Sequence, residues 1–583
     1  MVGTAERVSG HHYIRKAVVV GKSSGLTFTT AGDQVIPARQ HFYENDEPFD
    51  FPDGQRPAVP GAPGTPVHPM SRRIVYGLTS ALVGVTGALG NAIVAANLPY
   101  LQGALGLDLS DVAWLPVAYL VTNAITGCIL VKFRQEFGVR PFCLIFLTLQ
   151  AALITSHLFV DGLAGAILVR AASGVSASAL STLGVYYMIQ ALPAAHRLRA
   201  VCFGIGIPQL ALPLAWLVPK DFLAFGNWNG LYLFELGLSL AALAVVSLVR
   251  LPPSVRSKTF ESLDAVSFLL YALGFVLFGS AMGLGSYLWW TNMPWIGWCF
   301  AACLPCLGLV IGIEYHRKRP MIDVRWLSAG TFARWALIAV ICRFVQSEQT
   351  IGVMTMLRES GLTNDDIRPL TGAILVGAVL GLTASVLFVS PSRLIHLVLC
   401  SLLLVVAATY MDTATSVLTR VPQLLVSQAM MGVAGTLFIG PLFIFGFGRV
   451  LADGGVRMTS FIALFNVTQS VGTLTGNAFT QTYLYYAQQY HLASFAAQAE
   501  RSAPEVAYLA RTMASRYSAV ITDPVVRSAE GISGLSQQIS LYARVAGYID
   551  VFTAMSITAT AGAAMLLWVI AFNWFQQARR SNP

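Results

Sequence analysis

From residue 74 to residue 575 the chain is built of apolar blocks about twenty residues long, separated by short polar breaks. Wound as an α-helix at about 1.5 Å per residue, such a block crosses the roughly 30 Å of hydrocarbon in a lipid bilayer. Inside hydrocarbon every backbone N–H and C=O must find its partner within the protein, and a helix supplies those partners from its own chain. Only 11% of the 583 residues are charged and 55% are hydrophobic, whereas a soluble domain carries about 25% charged residues. A soluble fold has too little interior to hide that much apolar surface. The blocks therefore predict an all-α polytopic membrane protein.

Fourteen spans are expected, at about 74–100, 111–132, 141–160, 162–190, 200–219, 229–250, 264–285, 294–314, 331–357, 368–390, 393–411, 421–446, 457–486 and 550–575. An even count leaves both termini on one side. Alternate loops carry the basic residues: Arg72 and Arg73; Lys132, Arg134 and Arg140; Arg197 and Arg199; Arg250, Arg256 and Lys258; Arg317, Lys318, Arg319 and Arg325; Arg393; Arg449 and Arg457; Arg579 and Arg580. The intervening loops hold mainly Lys220, Arg358, Arg368 and Arg420. Loops rich in Lys and Arg stay in the cytoplasm, so both termini are expected there. The same placement accounts for the net charge of +9 without a nucleic-acid partner; the bilayer is the partner implied.

The spans divide the chain. Residues 1–70 read as a polar cytoplasmic extension ending in a Pro- and Gly-rich linker, with a small β-like piece around Lys16 to Thr30. Their longest apolar run, Ala17 to Val20, is too short for a signal peptide. Residues 71–250 hold six spans, 264–314 two more, and 331–575 the last six. Between the last two spans lies a polar exterior segment, 488–548, with helical patterning in 504–517 and 536–546. A connection of that length usually has a function or is disordered; a solvated helical cap and a docking surface both fit. All eight cysteines fall in or at the ends of apolar blocks, so no disulfide framework is expected. Cys299, Cys303 and Cys306 share one helical face, but small apolar residues packed in a bundle account for them and no metal site is expected.

A charge in hydrocarbon costs roughly 2.5–3.5 kcal/mol on insertion scales, so the charges that remain in spans face water or a partner and mark pathways. Four stand out: Arg170 in span 4, Glu235 in span 6, and Arg343 and Glu348 in span 9. Gln346 follows Arg343 by about one turn, whereas Glu348, at i+5, points to another face. Neutral polar residues thicken in spans 1, 2, 4 and 13, among them Asn91, Asn123, Ser173, Asn466 and Gln469. Interhelical hydrogen bonding explains many of them. Arg170, Glu235, Arg343, Gln346, Glu348, Asn123, Asn466 and Gln469 are the candidates for a substrate and proton pathway. None of the nine histidines sits in mid-span near a carboxylate, and no Gly-rich loop ends in Lys-Ser/Thr. Hydrolytic metal chemistry and ATP-driven pumping are therefore not expected. The chain reads as a transporter rather than an enzyme, and no cofactor is expected.

Motifs stand in a fixed order along the spans. Ile93-Val94-Ala95-Ala96-Asn97-Leu98-Pro99 ends span 1; Trp114, then Ala118-Tyr119, then Gly138 and Arg140 run through span 2 and its loop. Arg170 and Gly174 make an R-x3-G in span 4, Met431 to Gly435 precede Pro441 in span 12, and Phe465-Asn466 precede Gly472 and Gly476 in span 13. Gln537-Gln538 through Asp550-Val551-Phe552 lead into span 14. Over about residues 75–575 this order resembles the fourteen-span drug:proton antiporter branch of the major facilitator superfamily, the EmrB/QacA type. The resemblance implies two six-helix bundles plus two extra central spans, alternating access around a midplane cavity, and proton-driven efflux. It also implies conformational roles for Trp114, Gly138, Arg140, Gly174 and Pro208.

The sequence departs from that pattern where mechanism is concerned. The span 1 acid of many relatives falls on Gly90, beside Asn91, while Glu235 stands where relatives have Asn. Gln469 replaces their span 13 Arg, Gln135 their loop Asp and Val131 the first loop Gly, and Gly204 to Pro213 is a degraded form of their glycine-proline motif. If proton coupling persists, Glu235 or Glu348 must supply the titratable group, assisted by Arg170 or Arg343. Two cations facing the cavity would favour an anionic amphipathic substrate, such as an aromatic or fatty acid. Relatives in double-membrane bacteria work with a periplasmic adaptor and an outer-membrane channel, which implies an inner-membrane location and makes 488–548 the expected dock. Two rivals share the fold: a facilitator or proton symporter importing a small organic substrate or siderophore, and a membrane sensor. The sensor would need a folded signalling domain in residues 1–70, which their composition does not favour.

Overall fold

A computed structural model describes residues 55, 57 and 59–581, apart from 161, 219–228 and 502. Lys220 and the β-like piece expected at Lys16 to Thr30 lie outside the described residues. Within them the protein is helical and forms no strand, as the apolar blocks require.

Among the described residues fourteen long helical units follow in order. They are α1 (Met70–Ala96), α2 (Leu109–Phe137), α3 (Val139–His157), α4 (Leu163–Ala191), α5 (Ala194–Leu217), α6 (Asn229–Leu248) and α7 (Ser262–Leu288). Then come α8 (Pro294–His316), α9 (Gly330–Glu359), α10 (Asn364–Phe388), α11 (Leu394–Asp412), α12 (Val421–Ala452), α13 (Met458–Arg501) and α14 (Pro524–Ser581). Thirteen are long and apolar enough to cross a membrane. The other, α13, carries Asn466, Gln469, Asn477 and Gln481, which lower its hydropathy, yet it packs among α2, α7, α9 and α14. Between α13 and α14 the chain is a third helix, Ala503–Ser515, and both long helices extend into the polar segment around it.

Helices α1–α6 pack on one another, and so do α9–α14. The two sets meet where α2 crosses α13 and where α5 crosses α10 and α12, while α7 lies across α2 and α13 and carries α8. Crossings are close where side chains are small. A Cβ on Gly174 of α4 would collide with Thr122 and the Tyr119 carbonyl of α2, and the Thr122 hydroxyl donates to Ala171 O across that crossing at 2.7 Å.

Among the breaks in helical geometry, three lead to the cavity. Asn97 ends α1, its amide donating to Ile93 O at 3.0 Å, and Pro99 starts the short helix Leu98–Leu105. In α5, Pro208 lies in a tight 3₁₀ turn, Ile207–Leu210, because proline cannot supply the next helical donor. In α9 the turn Glu348–Val353 is π-helical, a one-residue widening that re-aims side chains.

On the face where α1 begins, the basic face, polar contacts hold the parts together. Lys132 of α2 pairs with Asp264 of α7 at 2.5 Å, and Arg317 contacts Asp264, Glu261 and Glu314 at 2.9, 2.8 and 2.7 Å. Burial alone would lower the Arg317 pKa, but bonds to these three carboxylates raise it above its ordinary value. Arg134 is buried with its guanidinium 4.7 Å from the Tyr186 ring. The stretch 59–69 lies across this face. Gln190 Nε2 donates to Gly64 O at 2.9 Å, Gly64 N to Pro253 O at 3.0 Å and Gly61 N to Val255 O at 3.3 Å. Val59 and Ala62 bury against Tyr186, with Leu251 and Phe447 around them, so this stretch touches α4 and α12 together.

Candidate transport cavity and its charged side chains

The breaks in α1, α5 and α9 open onto one cavity of about 440 Å³ between the two helix sets. Its polar wall includes Asn91, Gln209, Arg343, Gln346, Gln349, Arg358, Asn477 and Gln481, and its apolar wall includes Leu212, Trp216, Ile374 and Met431. Toward the basic face it is closed by packing of α5 on α10 and α12. Cys202 Sγ lies 3.0 Å from Ser385 Oγ, Ser385 donates to Leu437 O at 3.3 Å, and a Cβ on Gly440 would collide with Cys202. Toward the other face Arg358 of α9 donates to Ala96 O of α1 at 2.9 Å and to Asn364 Oδ1 at 3.0 Å.

Arg343 is the cation near the middle of α9, and it is held by neutral amides from both helix sets. Its Nε donates to Gln469 Oε1 of α13 at 2.8 Å and its Nη2 to Gln209 Oε1 of α5 at 2.6 Å. The guanidinium also lies 5.8 Å from the Phe438 ring. Gln346 lines the cavity beside it, with its amide nitrogen buried and unpartnered. Sequence reasoning passed over Gln209; its signal was the adjacent Pro208, which opens the turn.

Arg170 and Glu235 meet elsewhere, inside the first helix set. Arg170 Nη2 lies 3.4 Å from Glu235 Oε2 with the side chains 1% and 2% exposed. Arg170 also donates to Gly90 O at 3.4 Å and sits 5.6 Å from the Tyr232 ring, which stacks on His157 at 4.7 Å. A Cβ on Gly90 would collide with Glu235 Oε1. Two cations do face the cavity, but Arg170 is not one of them. Arg170 is turned to its own counter-ion, and the second lining arginine is Arg358.

Glu348 meets neither arginine. It is fully buried against α11 and α12, where Gln428 Nε2 donates to Glu348 Oε1 at 3.3 Å and to Asp412 Oδ2 at 2.9 Å. Ser427 Oγ donates to Asp412 Oδ1 at 2.5 Å. Asp412 carries no charge-in-span signal in the sequence, because the apolar block of span 11 ends one residue before it.

The remaining candidates sit at helix crossings. Asn123 donates to Gly174 O at 3.2 Å, and the Asn466 amide fills the space beside Gly127 on α2. Trp114 stacks on Trp295 of α8 at 6.1 Å, Gly138 joins α2 to α3 with φ +90°, and Arg140 lies in the first turn of α3. The cysteines are free, and among the described residues no group of three or more His, Cys, Asp or Glu could hold a metal.

Two packed sets of membrane helices around a central cavity are an arrangement that alternating-access carriers use. No family model matches the chain. It is 27% identical over 347 residues to the tetracenomycin C resistance and export protein of Streptomyces glaucescens, covering 54% of this chain and 60% of that one. It is 24% identical over 278 residues to the major facilitator superfamily multidrug transporter mfsC of Aspergillus fumigatus, covering 47% and 52%. The matches thus span less than two thirds of either relative's length. The crystal structure of the human organic anion transporter MFSD10 (TETRAN) superposes with a TM-score of 0.51 at 12% identity, over 85% of this chain and 99% of that one, which is a likeness of fold. In sequence the chain is similar to an export protein and a major facilitator superfamily multidrug transporter, and in fold to a solved transporter.

Proposed function

We propose that this transporter is a proton-coupled exporter of small amphipathic anions, of the fourteen-span drug:proton antiporter type. The observation that carries the reading is Arg343, a cavity cation whose hydrogen-bond partners are the uncharged Gln209 and Gln469. A cation held this way keeps its charge for a ligand, and a planar guanidinium suits a carboxylate or sulfonate. Apolar neighbours such as Leu212, Trp216 and Met431 would take the rest of an amphipathic molecule. Export is supported by the relative whose name is a resistance and export protein. One charge moving through 100 mV supplies about 2.3 kcal/mol, about a fifty-fold gradient of a neutral substrate.

In this reading the basic face is cytoplasmic and the protein resides in a bacterial inner membrane. The helical segment between α13 and α14 then faces the periplasm, where exposed Tyr508, Val525, Val526 and Tyr542 offer an apolar surface to an adaptor leading to an outer-membrane channel. Everted membrane vesicles test the reading: energised vesicles should accumulate organic anions and lose them on adding an uncoupler. Accumulation of organic cations alone, or indifference to the uncoupler, would overturn it.

A further inference from the structure

We infer that Glu348 and Asp412 share one proton and form the proton-carrying site of the transport cycle; the inference rests on the proton-coupled reading above. Both side chains are buried, with residue exposures of 0% and 1%. One amide nitrogen, Gln428 Nε2, reaches both carboxyls, at 3.3 Å from Glu348 Oε1 and 2.9 Å from Asp412 Oδ2. Two carboxylates are both acceptors, so a bond between them requires a proton, and two adjacent charges removed from water cannot both persist.

Among the described residues the surroundings supply donors but no counter-charge. Asp412 comes from α11, Ser427 and Gln428 from α12, Glu348 and Gln349 from α9, and α14 contributes Phe552 against Gly352. The charged or titratable groups facing the site are thus the two acids themselves; Arg544, Tyr548 and Glu359 form a separate group at the far end of α9. Gln428 spends its amide nitrogen on both carboxyls, and Ser427 bonds the other Asp412 oxygen. Glu348 Oε2 is left buried with no donor, the position a proton shared with Asp412 would occupy.

This arrangement differs from that of Glu235. Glu235 has Arg170 as its counter-charge at 3.4 Å, so that pair joins α4 to α6 without a second carboxyl. The Glu348 pair also stands on a route. Gln349 lines the cavity, and its Nε2 donates to Gln428 O and Oε1, each at 3.3 Å. Asp412 is the last residue of α11, at the face opposite the basic one. A proton arriving from that face meets Asp412 first, and its arrival is felt at the cavity through Gln428 and Gln349. The π-turn beginning at Glu348 is an irregularity of the kind often found at functional sites, and a change of its register would re-aim the acid. Loading and release make and break only O–H bonds, with water on either side as donor and acceptor.

The full-length protein in liposomes tests this in two ways. Infrared spectra of the wild type at neutral pH should contain a protonated-carboxyl C=O band that is lost in Glu348→Gln and in Asp412→Asn, and kept in Glu235→Gln and Glu348→Asp. A band unchanged in both Glu348→Gln and Asp412→Asn overturns the shared proton. With tetracenomycin C and the anionic dye carboxyfluorescein as probes, E348Q/D412N should keep downhill exchange and lose accumulation driven by a pH gradient. A wild type and a double variant driven equally well overturn this site but leave proton coupling standing; a wild type that no pH gradient drives overturns the coupling itself.

Discussion

The Glu235 carboxyl fills the space that a side chain on Gly90 would need, so α1 and α6 share one place for an acid beside Arg170. Glu235→Ala leaves a buried guanidinium without its counter-charge, a change that costs about 3–5 kcal/mol for a buried pair. Gly90→Asp alone should also destabilise, by collision and by a second acid. Together the substitutions should compensate, since G90D/E235A returns one acid to Arg170. Melting in detergent checks the order: the double variant should unfold above both single variants, a non-additivity expected of residues in contact.

The Cys202 thiol reports on the basic-face closure. It is 1% exposed, between Ser385 of α10 and Gly440 of α12. Gly440→Leu should wedge α5 from α12 and favour the state open to that face. A bias of about 1.4 kcal/mol would raise the open population about tenfold, and the rate of maleimide labelling at Cys202 should rise with it. The Gly440→Leu/Cys202→Ser variant is the reference, and it should not show the rise.

Much of the fold was legible because bilayer thickness sets span length, whatever the residues are. Polar α13 was found too, since its Asn, Thr and Gln residues interrupt an otherwise span-length segment. The site was legible only in part. Arg170, Glu235, Arg343 and Glu348 declare themselves as charges in apolar blocks, but their pairing depends on how the helices are arranged in three dimensions. Periodicity separates Arg343 from Glu348 without saying what each faces. Asp412 was lost because a hydropathy boundary cannot tell a buried helix end from a loop, and Gln209 because a neutral amide in a disrupted motif carries no charge signal.

Contacts of residues 59–69 should weaken in acid. His68 Nε2 lies 3.0 Å from Gln190 Oε1, and its ring is 4.8 Å from the Tyr76 ring. Burial lowers the His68 pKa from 6.5, and Arg72 and Arg73 push the same way, against the Gln190 bond that raises it. The packed state therefore prefers neutral His68, and the released state binds the extra proton. Stability of the contact is complete above pH 6.5 and declines as pH falls from there toward the lowered value. Hydrogen exchange of residues 59–69 should accelerate as pH is lowered through this range, after correction for the intrinsic rate. His68→Gln should flatten that dependence.

Arg343 combines a charge with a geometry, and two substitutions separate them. Arg343→Gln removes the charge and leaves Gln209 and Gln469 without their donor. Charged hydrogen bonds contribute about 1.5–3 kcal/mol, so an anionic probe should bind roughly tenfold to a hundredfold more weakly, while a neutral analogue of the same shape should change little. Arg343→Lys keeps the charge but cannot reach both amides with a planar fork. It should retain anion preference with reduced affinity and a looser contact between α5 and α13. Equilibrium binding of carboxyfluorescein and of an esterified, uncharged derivative checks both. Equal losses for the two probes would place Arg343 in the scaffold that holds α5 and α13, and a selective loss for the anion would place it in the site.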